Sequence, residues 1–187
     1  MNVNGRVFHM ISWNVRGLGD AEKCDIVRDT LTTVKPTIIC LQETKLSSTS
    51  VTKARSFLPT SFRQFHCVDV GGTRGGILTA WDDYSLSLRS FITRKHTLTT
   101  VLVSTVTNIS FTVTNVYAPS DHRDSASFLE DLAELAPHIN GPWILAGDFN
   151  LIRSSNDKNN GHVDSRLTEL FNDTLNSLAL MELPLLD

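Results

Sequence analysis

The stretch Trp143-Ile-Leu-Ala-Gly-Asp-Phe-Asn150 is apolar until it closes on an aspartate and an asparagine. In an extended chain, residues two apart share a face. The Asp148 carboxylate and the Asn150 amide then project together while Phe149 points the other way. Gly147 lets the backbone bend, or be approached closely, just before the acid. Three more polar residues stand in the same position relative to an apolar run. Asn14 ends VFHMISWN, Glu43 follows TIICLQ, and Tyr117 ends ISFTVTNVY. Each has a plainer use: Asp148 and Asn150 as turn formers, Asn14 as the opening of the Gly17-Leu18-Gly19 turn, Glu43 as a solvated carboxylate beside Lys45, and Tyr117 as a half-buried aromatic before Pro119.

Taken together, these residue types describe one chemistry. A carboxylate with nearby oxygen ligands suits Mg²⁺, which keeps several waters and takes few protein ligands. A second carboxylate orients or deprotonates water. An amide and a phenol are neutral donors for a phosphoryl oxygen as its charge grows. That set serves Mg²⁺-assisted hydrolysis of a phosphate ester, and strand ends in α/β folds are where such sites are commonly assembled.

The elements that must carry these residues alternate at first. A strand is expected over residues 7–14. Asp20 then caps a helix in which Cys24, Val27, Leu31 and Val34 follow a three-four-three spacing, closed by Pro36. A buried-type strand over 37–42 and a short helix within 47–57 come next. Strands follow over 65–70, 77–81, 85–93, 98–106 and 109–117. Phe128, Leu129, Leu132, Leu135 and Ala136 mark a second long helix, stopped by Pro137. The WILAG strand, a polar loop over 154–165 and a helix through Leu167, Leu170, Phe171, Thr174 and Leu178 complete the series. The glycine-rich GGTRGG at 71–76 lacks the lysine and Ser/Thr of a P-loop and joins two strands. It reads as a tight hairpin, with Arg74 at its tip placed to touch a nucleic-acid backbone. With no internal repeat or low-complexity tract, residues 1–187 read as a single domain.

Composition sets the class. The hydrophobic content of 41% and charged content of 20% are ordinary for a soluble globular protein. Three cysteines, Cys24, Cys40 and Cys67, form an odd and widely spaced set, which speaks against a disulfide framework or zinc site and for a reducing, intracellular compartment. The N-terminal residues show no secretory signal, and no apolar run reaches the length of a membrane span. The net charge of −3 does not by itself suggest a partner for nucleic acid. Its distribution is uneven: residues 1–123 hold 14 Lys+Arg against 9 Asp+Glu, and residues 124–187 hold 3 against 11. Such asymmetry permits a local cationic face for a polyanion, for which Arg16, Lys45 and Arg74 are the candidates.

Four motifs, SWNVRGLG (12–19), IICLQETK (38–45), NVYAPS (115–120) and GDFN (147–150), resemble in order and spacing the endonuclease/exonuclease/phosphatase superfamily. The likeness is strongest to the apurinic-type endonuclease domain of non-LTR (LINE) retrotransposons, particularly plant elements, and it covers nearly the whole chain. It implies a four-layered α/β sandwich of two packed mixed sheets flanked by helices, with the site at one rim. It also implies Mg²⁺ as cofactor with Mn²⁺ as substitute, DNA as the partner to be nicked, and a place in the nucleus. By position in the motifs, Glu43 matches the metal ligand and Asn14 the amide that arranges metal and phosphate. Tyr117 matches the phenol on the scissile phosphate, Asp148 the acid that positions or activates water, and Asn150 the amide that supports the phosphate and Asp148.

The sequence departs from the family in places. Arg16 stands where many repair members carry an acid near the metal, an acid the retrotransposon branch often lacks. Ser120 stands where an asparagine is frequent. The resemblance implies further strands with an aspartate and a Ser-Asp-His motif after GDFN, and nothing after Asn150 supplies them. His162 lies in a polar loop, Asp187 is the last residue, and Ser120-Asp121-His122 follows NVYAP directly, as a coincidental tripeptide. These departures predict a chain without the family's C-terminal strands, an incomplete second sheet, and self-association through its uncovered edge. The leading expectation is a Mg²⁺-dependent DNA endonuclease domain. Its rivals are an inactive remnant that at most binds nucleic acid or a partner, and a phosphatase of small phosphate esters.

Overall fold

The computed structural model describes residues 2–3, 6–71, 75–154 and 164–183. The chain divides into two compact units, Met1–Tyr117 with Asn140–Asp148, and Ala118–Ile139 with Phe149–Asp187.

The first unit holds two mixed four-stranded sheets, preceded by a two-residue antiparallel ribbon of β1 (Asn2–Val3) and β2 (Arg6–Val7). In the first sheet β3 (Met10–Asn14) runs parallel to β4 (Ile38–Gln42). There β6 (Ile77–Trp81) is antiparallel to both β4 and the outer strand β5 (Gln64–Val68). The second sheet is an antiparallel meander of β7 (Leu86–Thr93), β8 (Thr97–Ser104) and β9 (Ser110–Tyr117). To it β10 (Trp143–Asp148) adds parallel to β9. The expected α/β sandwich of two mixed sheets with helices is therefore present.

Local chemistry accounts for the helices on the first sheet. The Asp20 side chain accepts from the Glu22 N–H at 3.0 Å and starts α1 (Ala21–Val34). Lys35, left-handed at φ 52°, ends it by returning its N–H to the Leu31 carbonyl, just before Pro36. Cys24, Val27 and Leu31 are buried with Phe57 of α2 (Val51–Phe57) against Ile39, Leu41, Leu78 and Ala80 of the sheet. Val34, expected on that face, is 49% exposed, because the last turn has run past the apolar cluster.

The sheets meet through a second cluster, Phe8, Ile38, Cys40 and Trp81 from one side and Leu86, Leu102, Phe111 and Val113 from the other. The rings of Phe8 and Phe111 lie 5.6 Å apart there. Toward one rim this layer turns polar. Gln42 Nε2 donates to Asn115 Oδ1 at 2.6 Å and to Ser12 Oγ at 3.1 Å, and Asn115 Nδ2 donates to the Leu78 carbonyl at 2.9 Å. Burial lifts the Cys40 thiol to about 12.

The tip of the connection from β5 to β6, where the tight hairpin is expected, lies at residues 72–74, outside the described residues. Val68 pairs with Ile77, so residues 69–76 lie between them. Arg74, His162 and Asp187 lie outside the described residues. In the second unit α3 (Ser125–Ala133) and α4 (Ser165–Ser177) pack together, Phe149 stacks on Phe171 at 5.4 Å, and Arg153 pairs with Asn172 and Glu182. Asp121 of the Ser-Asp-His tripeptide caps the 3-10 turn His122–Asp124 and pairs with Arg123, which takes its carboxyl down to about 2. Among the described residues no helix is long and apolar enough to cross a membrane.

Candidate active site

Strand alternation places four columns of side chains between the sheets. Met10, Ile38, Phe111, Val113 and Ile144 lie in or against the apolar cluster. Continuing by twos, the columns run Met10-Ser12-Asn14, Ile38-Cys40-Gln42, Val113-Asn115-Tyr117 and Ile144-Ala146-Asp148. Asn14 is level with Gln42 and Tyr117 with Asp148 in their parallel registers. All four columns therefore end at one rim.

Across that rim Asn14 Nδ2 donates to Asp148 Oδ2 at 2.7 Å. The Arg16 N–H donates to Asn14 Oδ1 at 3.1 Å, which fixes the direction of the amide. Glu43 stands one residue past β4, with left-handed backbone at φ 54°; Arg16 and Lys45 share that conformation at 51° and 53°. Each such residue costs roughly 1–2 kcal/mol, offset here by backbone bonds between the rim loops. Gly17 N–H donates to the Glu43 carbonyl at 2.7 Å, Leu18 N–H to that of Thr44 at 2.8 Å, and Lys45 N–H to that of Gly75 at 2.7 Å.

The Glu43 carboxylate lies 2.8 Å from the Lys45 ammonium. Lys45 first, then hydrogen bonds from Asn14 and Tyr117, hold it below the usual glutamate range against the opposing effect of burial. Burial, and then the negative charges of Glu43 and Asp148, push the Tyr117 phenol up, so it stays a protonated donor. Its backbone is held on both sides: Tyr117 N–H donates to the His96 carbonyl at 2.9 Å, and His96 Nδ1 lies 3.1 Å from the Tyr117 carbonyl.

Four of the residues singled out in the sequence are thus brought together: Asn14, Glu43, Tyr117 and Asp148, with Lys45 on Glu43. Arg16 is exposed on the adjoining loop. Asn150 belongs to the second unit, where it is left-handed at φ 48° and donates from Nδ2 to the Ala118 carbonyl at 2.9 Å.

Sequence reasoning missed the residues behind the site. Gln42 and Asn115 each stand one inward step before the rim in otherwise apolar strands, a signal that was available. Gly75 gave none. A Cβ there would come within 2.6 Å of Tyr117 Cε1 and 3.3 Å of Glu43 Cγ, so any other residue would have to displace the Tyr117 ring.

The donors at the rim are oxygens: two carboxylates, an amide and a phenol. Among the described residues no group of three or more His, Cys, Asp and Glu forms, so the set does not suit structural zinc. It fits Mg²⁺, which binds through one or two carboxylates and keeps its waters.

Fold and rim together define an α/β sandwich with an oxygen-rich site where two sheets end. Residues 11–180 match the Endonuclease/Exonuclease/phosphatase family, and the chain belongs to it. Solved structures share the fold. The AP endonuclease LMAP from Leishmania major is 19% identical with a TM-score of 0.69, over 91% of this chain and 66% of that one. The endonuclease domain of TRAS1, a telomere-specific non-LTR retrotransposon, is 18% identical with a TM-score of 0.64, over 91% and 72%. TDP2 of D. rerio, complexed with single strand DNA product, is 14% identical with a TM-score of 0.60, over 94% and 66%. The chain spans about two thirds of the length of LMAP and TDP2. A comparison with curated proteins gives no match.

Proposed function

We propose that this chain is a Mg²⁺-dependent phosphodiesterase domain that nicks DNA, of plant-like LINE retrotransposon origin, acting as one domain over residues 1–187. The observation that carries the reading is the convergence of Asn14, Glu43, Tyr117 and Asp148 on one rim, with Asn14 bonded to Asp148. DNA as substrate is supported by the four ordered motifs and by the likeness to nucleases and to a protein that holds a DNA product.

Glu43 would hold Mg²⁺, with Mn²⁺ as substitute, and Asn14 would arrange metal and phosphate. When bound, the ion would supply charge neutralisation and polarisation at a phosphoryl oxygen. Asp148, aimed by Asn14, orients the attacking water and takes its proton. Tyr117, kept protonated, donates to a non-bridging oxygen as charge develops there. The resemblance assigns Asn150 to supporting the phosphate and the general base, while Arg16, Lys45 and Arg74 would meet flanking phosphates.

A substrate panel separates the readings. Supercoiled plasmid and small phosphate monoesters are incubated with the chain in Mg²⁺ or in EDTA. The proposal expects Mg²⁺-dependent nicking of the plasmid, abolished by EDTA. Hydrolysis of the monoesters alone would make it a phosphatase, and DNA binding without cleavage would make it a remnant.

A further inference from the structure

Resting on the reading of Glu43 as a metal ligand, we propose that Lys45 is a built-in counter-ion. It occupies Glu43 in the metal-free protein and yields the carboxylate when a divalent cation binds, so that Lys45 sets the affinity of the site.

The ammonium lies 2.8 Å from Glu43 Oε1, on an oxygen that an incoming cation needs. Among the described residues, Lys45 is the cation paired with this carboxylate, while Asn14 and Tyr117, the other groups that lower its pKa, carry no charge. Asn14 and Tyr117 are neutral donors and can keep their contacts beside a metal.

Exchange has to happen in the lysine side chain, because the backbone on either side is tied down. The Glu43 carbonyl accepts from Gly17 N–H, and Lys45 N–H donates to the Gly75 carbonyl, both at 2.7 Å. The two side chains differ in freedom. Lys45 is 58% exposed and Glu43 18%, so the lysine has solvent to turn into while the carboxylate stays. The lysine stem runs over Gly17, where a Cβ would meet its Cδ at 3.5 Å. An exposed ion pair is worth little, so releasing the ammonium to water costs little. A divalent ion sharing the carboxylate with it would instead be repelled at short range.

The test is calorimetric titration of Mn²⁺ into the 187-residue chain and its Lys45→Met, Lys45→Arg, Lys23→Gln and Glu43→Gln variants, each checked for folding by circular dichroism. With the competing ammonium gone, Lys45→Met should bind Mn²⁺ about three- to tenfold more tightly than wild type. Lys45→Arg, whose planar fork grips a carboxylate in two places, should bind no more tightly than wild type. Lys23→Gln removes a charge held 3.4 Å from the Arg16 carbonyl, outside the Lys45–Glu43 pair, and should change little. Equal affinity for wild type and Lys45→Met, with binding lost in Glu43→Gln, would overturn the exchange and leave the metal reading standing. Tightening by Lys23→Gln as large as by Lys45→Met would also overturn it, since any nearby charge would then do. Binding indifferent to Glu43→Gln, or absent from every variant, would overturn both.

Discussion

The side-chain amide of Asn14 donates a 2.7 Å hydrogen bond to a carboxylate oxygen of Asp148, 134 residues further along the chain. The bond joins the rim of one sheet to the rim of the other, and it points the carboxylate on which the proposed water activation depends. Because the Arg16 N–H holds the amide oxygen, the amide nitrogen is already turned toward Asp148.

Asn14→Ala should therefore leave the fold in place and misdirect the acid. Cleavage should fall about 10–100-fold, the usual cost of losing a group that orients a site residue, with the melting temperature lowered by only a few degrees. Single-turnover cleavage and a thermal melt on the same preparation check both halves.

Gly75→Ala should damage the site more selectively than its size suggests. Its Cβ would be driven to 2.6 Å from the Tyr117 ring and 3.3 Å from Glu43 Cγ, whereas a Cβ on Gly19 meets nothing within 4 Å. Mn²⁺ binding and cleavage should be lost in Gly75→Ala and kept in Gly19→Ala. Equal behaviour of the two variants would show that Tyr117 and Glu43 do not need the space.

The strands that deliver Asn14, Tyr117 and Asp148 were legible because each apolar run changes character at its end, and α1 because Asp20 and Pro36 bracket a periodic face. Ile77–Trp81 was read to the residue, while β3 begins at Met10, three residues later than the apolar run suggests. Phe8 serves the inter-sheet cluster from outside a strand, and apolar character alone cannot separate those two states. The pairing of strands was not legible, since β10 joining β9 in parallel depends on contacts distant in sequence. The bond between Asn14 and Asp148 shares that dependence. Nor could the sequence show that Glu43 and Lys45 turn left-handed, a conformation that neither residue type favours.

The polar layer behind the rim should be cooperative. Asn115→Leu strips Gln42 Nε2 of its 2.6 Å acceptor and removes the donor to the Leu78 carbonyl, at a cost of about 2 kcal/mol. Gln42→Leu should cost a similar amount. The double variant should cost less than the sum, because neither Gln42 nor Asn115 is then left facing an apolar replacement of its partner. Urea unfolding of the four proteins measures the cycle; strict additivity would contradict a shared network.

The two shifted groups at the site fix the sign of its pH dependence. Glu43 is held below its ordinary value, mainly by Lys45. Its contribution to stability is therefore fully present above the unfolded value and is lost as pH falls through the lower folded one. Tyr117 is raised, mainly by burial, so its contribution is present below the unfolded value and is lost as pH rises through the higher folded one. The stability difference between wild type and Glu43→Gln should be flat across neutral pH and shrink in acid. The difference between wild type and Tyr117→Phe should shrink only in strong alkali. Urea midpoints across the pH range would show either trend reversed.

The most direct test of the site as a whole is to locate the metal. Crystals of the chain soaked in Mn²⁺ and measured at the manganese edge should show an anomalous peak at the rim. The peak should lie about 2.0–2.2 Å from a Glu43 carboxylate oxygen, with Asn14 and Asp148 beside it and the Lys45 ammonium turned away. Mn²⁺ bound only elsewhere, with Lys45 still seated on Glu43, would contradict the assignment of this rim as a divalent-metal phosphodiesterase site.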